Sequence, residues 1–116
     1  MQVRKLEKNN YADIKIFKAL PFHLYENSRY WVPPFPGEIE KVMQPEMHPF
    51  YRHSEADFFV VEQGNKVLGR IAVLHNKMFC EFHKVNTGFF YYFESEDDAE
   101  VARLLFQAAE DWCTNR

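Results

Sequence analysis

Glycine is scarce in this sequence: four occur in 116 residues, and none follows Gly88. Phosphate sites built on a strand, a tight turn and a helix use backbone N–H groups and the helix dipole at the helix start. Here the stretch that reads this way, Gly88 to Asp98, carries Glu94, Glu96, Asp97 and Asp98. Carboxylates suit a helix N-terminus, but they occupy the field a pyrophosphate would use. Like charges a few ångströms apart repel by roughly 1 kcal/mol per pair in water, and by more once desolvated.

Cysteine is also scarce. Cys80 and Cys113 lie far apart, in no metal or redox spacing, and read as free thiols in a reducing compartment, hence a cytoplasmic protein. Apolar runs reach about six residues, far short of the roughly 20 that span a bilayer. Residues 1–10 have no apolar h-region of a secretory signal. Positive charge is not in excess: 14 Lys and Arg face 17 Asp and Glu, a net charge of −3. The chain as a whole therefore has no general attraction to nucleic acid or to anionic membranes, and we expect neither as a partner. Lys77 and Lys84, beside Phe79 and Phe82, are two cations in an acidic chain and make no nucleic-acid surface.

Aromatic residues are abundant: they are 17% of the sequence, including twelve Phe. Large rings bury much area each, so one core is sustainable at this length. Met1 to Leu6 alternates like a strand. Asn9 or Asn10 can cap a helix carrying Ile14, Phe17 and Leu20, which Pro21 should end or kink, leaving Phe22 to Tyr25 as a further helical turn. Tyr30 to Gly37, with three prolines, is a stiff aromatic loop. A short helix over Glu38 to Met43 stops before Pro45, and Met47 to His53 reads as irregular. Phe58 to Glu62 and Val67 to Leu74 are strands joined at Gly64-Asn65, a pair suited to a two-residue hairpin turn. His75 to Lys84 reads as a loop, and Val85 to Phe93 as a fourth strand buried on both faces. Ser95, answered by Asp98, should cap the last helix. Its stripe would be Ala99, Ala102, Leu105, Phe106, Ala109, Trp112 and Cys113, with Leu105, Phe106 and Trp112 as anchors. The expected class is α+β: a mostly antiparallel four-stranded sheet in the order β-α-α-β-β-β-α, in one domain over residues 1–116.

That order, and the stretch Phe59-Val60-Val61-Glu62-Gln63-Gly64-Asn65-Lys66-Val67-Leu68-Gly69-Arg70-Ile71, resemble the front part of the GNAT acyl-CoA N-acyltransferase superfamily. Phe22-His23-Leu24-Tyr25, Trp31-Val32-Pro33-Pro34, His48-Pro49-Phe50, Gly88-Phe89-Phe90 and Ala109-Glu110-Asp111-Trp112 are similar to a little-described bacterial branch of it. The resemblance implies an N-terminal portion of an incomplete GNAT-like fold. It implies acyl transfer from acetyl-CoA or another acyl-CoA to an amine in the complete protein. It also implies that the end of the fourth strand, Tyr92, Phe93 and Glu94, presents main-chain groups to the coenzyme. The superfamily's Gln/Arg-x-x-Gly-x-Gly/Ala loop is replaced here by Glu94-Ser95-Glu96-Asp97-Asp98. The sequence stops where the superfamily has a further strand, a helix and two more strands. We therefore expect no coenzyme on this fragment and no catalysis by it alone. A non-catalytic binding or assembly domain on the same frame is the competing expectation.

Glu94 is a candidate general base if burial raises its pKa, or simply a carboxylate that favours the helix start. Tyr30 and Trp31 either line an acceptor pocket or close the core. His75, Cys80 and His83 match no compact zinc module, so no metal is expected. His48 and His53 read as solvent-facing, and Ser95 has no His partner for nucleophilic catalysis. With no fifth strand to pair with, the fourth-strand edge lacks lysine and proline, which favours a homo-oligomer through that edge.

Overall fold

The computed structural model describes residues 1–116. Gln2–Lys5 form strand β1, and a turn leads to Asn10, whose side chain accepts from Asp13 N and caps helix α1, Tyr11–Leu24. Helix α2, Glu38–Val42, follows the proline loop. Two short 3₁₀ turns, Pro45–Met47 and Pro49–Arg52, give regular form to a stretch the sequence presents as irregular. Strands β2, Glu55–Gln63, and β3, Lys66–His75, form the hairpin. Gln63 pairs with Lys66 across its two-residue turn, in which Gly64 alone takes a positive φ, +62°. Helix α3, Lys77–His83, leads to β4, Phe89–Ser95, and to helix α4, Ala99–Thr114.

The sheet is open and antiparallel throughout, in the order β1-β2-β3-β4, which is an α+β arrangement. Strand alternation divides the core into two. Ala56, Phe58, Val60 and Ala72 face α1 and α2 with Ile14, Phe17, Ile39 and Met43. Phe59, Val61, Ile71 and Val73 face α4 with Val101, Leu105, Ala109 and Trp112. α4 packs closely over Gly69: a Cβ there would stand 2.7 Å from Val101 Cγ1 and 2.9 Å from Leu105 Cδ1.

The structure corrects several readings. Helix α1 runs through Pro21 without a break. Proline removes the N–H that would bond to the Phe17 carbonyl, and Arg70 Nη1 takes its place at 2.6 Å. His75 to Lys84 is mostly helix: Asn76 caps α3 through Phe79 N, and Lys84 ends it in the left-handed region. β4 starts at Phe89 and is not buried on both faces; Phe89 is 41% and Phe90 56% exposed. At this end of the edge strand Phe89 meets only the Phe79 ring of α3, and Phe90 only the Phe106 ring of α4. Asp98, not Ser95, caps α4 by accepting from Glu100 N, because Ser95 is the last residue of β4. Val101 belongs to the buried stripe in place of Ala99, and Phe106 is only half-buried.

Candidate functional site

Register slips once between β3 and β4. Arg70 pairs with Glu94 and Ala72 with Tyr91, so Tyr92 and Phe93 together stand opposite Ile71. This bulge puts Tyr92 at φ +55°. Such a backbone is uncommon for a non-glycine residue. It is held here by Arg70 Nε, which donates to the Tyr92 carbonyl at 3.1 Å. Bulges re-aim side chains, and this one puts two consecutive rings, Tyr91 and Tyr92, on the same α1 face of the sheet, with centroids 4.6 Å apart. Phe93 packs on Phe106, with ring centroids 4.8 Å apart. Tyr92 meets Phe17 edge to face at 6.2 Å.

Arg70 organises the α1 side. It is 5% exposed, and its guanidinium lies 4.6 Å from the Phe17 ring and 5.6 Å from the Tyr92 ring. Burial pulls its pKa down to about 10, against the raising influence of Glu94, Tyr92, Tyr25 and Glu38. It therefore stays charged at neutral pH, a buried cation with carboxylates in electrostatic reach. Those carboxylates are held by phenols: Tyr25 Oη donates to Glu94 Oε1 at 3.2 Å, and Tyr92 Oη to Glu38 Oε2 at 3.1 Å. Burial, then the neighbouring Glu94, raises the Tyr25 pKa. Burial, then Glu38, raises Tyr92 to about 12. Both phenols remain donors at neutral pH. Trp31 adjoins the group through Tyr25, on which it stacks at 5.6 Å, and stands edge-on to Phe22 at 5.0 Å.

Of the residues singled out from sequence, Trp31, Tyr92 and Glu94 come together. Phe93 points to the α4 side. Tyr30 stands apart, 82% exposed and beside Arg29. Tyr25, Glu38 and Arg70 were missed. A signal for Arg70 was present: it is the one charge inside the apolar run Val67 to Leu74. The chemistry on offer is two carboxylates, each hydrogen-bonded by a phenol, set around the Arg70 cation that lies over the Phe17 and Tyr92 rings.

The start of α4 offers nothing comparable to a pyrophosphate. Glu96 N donates to Leu68 O, Asp98 Oδ1 occupies Glu100 N, and Glu96 pairs with Lys66 at 3.1 Å. The residues present do not fit that group.

Elsewhere, His75 Nε2 meets Asn86 Oδ1 at 2.8 Å, Cys80 Sγ lies 3.4 Å from Thr87 O, and His83 packs on Phe79. His48 and His53 are half-buried rather than solvent-facing. His48 Nδ1 accepts from Phe50 N in the second 3₁₀ turn, and His53 Nδ1 meets Ser54 Oγ at 2.6 Å. No helix is long and apolar enough to cross a membrane.

No family model matches the chain, and no solved structure matches it. Two curated proteins are similar over most of its length. A bacterial ceramide synthase of Caulobacter vibrioides is 32% identical over 106 residues, which is 90% of this chain and 28% of that protein. Protein YghO of Escherichia coli is 30% identical over 103 residues, 89% of this chain and 26% of that protein. The chain thus spans little more than a quarter of the length of either relative it resembles.

Proposed function

We propose that this chain is a portion of a GNAT-like N-acyltransferase and supplies the amine-acceptor side of its site. The observation that carries the reading is the cluster at the β4 bulge, where Glu94 is held by Tyr25 and Glu38 by Tyr92, with Trp31 stacked on Tyr25. Amide synthesis needs an amine that has lost its proton and is fixed near an acyl carbon. Glu94 receives the acceptor ammonium as a hydrogen-bond donor and takes its proton, freeing the nitrogen lone pair. Tyr25 orients Glu94, and Trp31 offers a face to the cation. Similarity to a protein named for ceramide synthesis supports an amine acceptor, since ceramide is an amide. The acyl donor's phosphates would be held by other parts of the protein, because the α4 start is acidic and the N–H groups of Glu96, Asp98 and Glu100 are engaged.

The test is a chimera in which this chain replaces the matching segment of the Caulobacter relative. Amide formation should persist and should fall by about 100-fold or more with Glu94→Gln. An active chimera indifferent to Glu94→Gln would refute the assignment. The acidic helix start favours one other reading, a non-catalytic assembly domain on the same frame. An inactive but folded chimera that still binds its companion segments would support it.

A further inference from the structure

The loop between α1 and α2 is exposed where an apolar loop is normally covered. Tyr30, Val32 and Phe35 are 82%, 81% and 85% exposed. Pro33, Pro34 and Pro36 limit the backbone freedom around them, so little backbone entropy is lost when the loop is immobilised. The loop borders a groove of about 460 Å³ that Phe22 and Lys18 of α1 also line. A second hollow continues along α1 past Lys15 to Tyr11, sharing Lys18 and Phe22 with the first. Helical spacing of Tyr11, Lys15, Lys18 and Phe22 puts rings and cations on one strip.

Charge on this strip departs from the acidic balance of the whole chain. Lys18 Nζ lies 3.1 Å from Glu40 Oε1, close enough to neutralise it but not aligned as a hydrogen bond. Glu38 is engaged by Tyr92. Lys15 has no carboxylate within ion-pair distance, and Arg29 lies over the Tyr30 ring at 5.2 Å, also without one.

We propose that this face, α1 together with the proline loop, docks on the surface of a phospholipid bilayer that contains anionic lipid. Exposed rings with an apolar body and a polar edge suit the headgroup boundary, and basic side chains beside them suit its negative potential. Val32 and Phe35 enter the acyl boundary, while Lys15 and Arg29 lie against the headgroups. The expectation of no membrane partner rested on net charge and on the lack of a span. Neither bears on a local patch of this kind.

Vesicle co-sedimentation tests the proposal, using phosphatidylcholine alone and phosphatidylcholine mixed with phosphatidylglycerol. The chain should sediment with the mixed vesicles, less so at high salt, and Trp31 emission should move to shorter wavelength. Trp112 is enclosed and donates to Asp57, so its emission should not move, and a Trp31→Phe variant should lose the shift. Val32→Ser with Phe35→Ser should lower partitioning by about tenfold or more. Both sites are open, so circular dichroism should stay unchanged. Lys15→Glu should lower partitioning several-fold on mixed vesicles only. No sedimentation with either vesicle overturns the proposal, as does binding indifferent to the Val32 and Phe35 changes. Self-association abolished by those same changes, without vesicle binding, would place a second copy of the chain on this face and overturn it too.

Discussion

Arg70 and Pro21 are coupled through one carbonyl. Proline leaves the Phe17 oxygen without its helical donor, and Arg70 supplies one from another element. Arg70→Met removes the donor to both Phe17 O and Tyr92 O, at an expected cost of about 2–6 kcal/mol, since each stranded acceptor costs about 1–3. With Pro21→Ala a helical N–H becomes available, and the cost of Arg70→Met should shrink by about 0.5–2 kcal/mol. Additive losses in urea titrations would show that the Phe17 carbonyl is not the shared element. Tyr92 provides a second residue-level expectation. Burial raises Tyr51, Tyr91 and Tyr92, the last to about 12. The unfolded chain therefore ionises these phenols first, and stability present at neutral pH falls as pH rises from about 10 towards 12, by up to about 1.4 kcal/mol per group per unit. Arg70, lowered to about 10 by burial, acts with the opposite sign over the same range and offsets only part of the loss. A urea midpoint flat through that window would contradict this account.

Among the elements, α4 gives the sharpest contrast between positions. Leu105 is enclosed between β3 and the helix, whereas Phe106 rests on Phe90 and Phe93 at the open side of β4. Leu105→Ala should cost about 2–5 kcal/mol. Phe106→Ala should cost less than Leu105→Ala, and Arg103→Ala should stay within about 0.5. Gly69→Ala forces a methyl against Val101 and Leu105 and should cost about 1–3 kcal/mol. A reversed order of Leu105 and Phe106 in urea titrations would show the helix rotated about its axis. The helix and its polar face were legible because apolar residues recur with a 3.6-residue period. The hairpin was legible from Gly64-Asn65 between two β-branched runs. Helix α3 was not, because its apolar residues cover no core and its existence rests on the Asn76 and Lys84 caps. The bulge was not legible either: an unbroken run of rings, Phe89 to Phe93, hides which residue is the extra one.

At the scale of the whole molecule, β4 forms one edge of the sheet, and its flank, with Phe82, Phe89 and Phe90, is open. We propose that this edge recruits a second copy of the chain. Light scattering over a hundredfold concentration range should then show mass rising with concentration, and a monomer throughout would refute it. The site was legible only where chemistry sits at an element boundary. Glu94 and Trp31 stood out in sequence, but Tyr25, Glu38 and Arg70 join them through long-range contacts that no local pattern encodes. The central claim is that this constellation accepts an amine. A short water-soluble amino alcohol, chosen so that the apolar loop gains nothing from it, should be titrated into ¹⁵N-labelled chain. The account predicts saturable shifts at the Tyr92 to Glu94 amides and at the Trp31 indole, weakened about tenfold or more by Glu94→Gln. Shifts confined to other regions, or an affinity unchanged by Glu94→Gln, would contradict it.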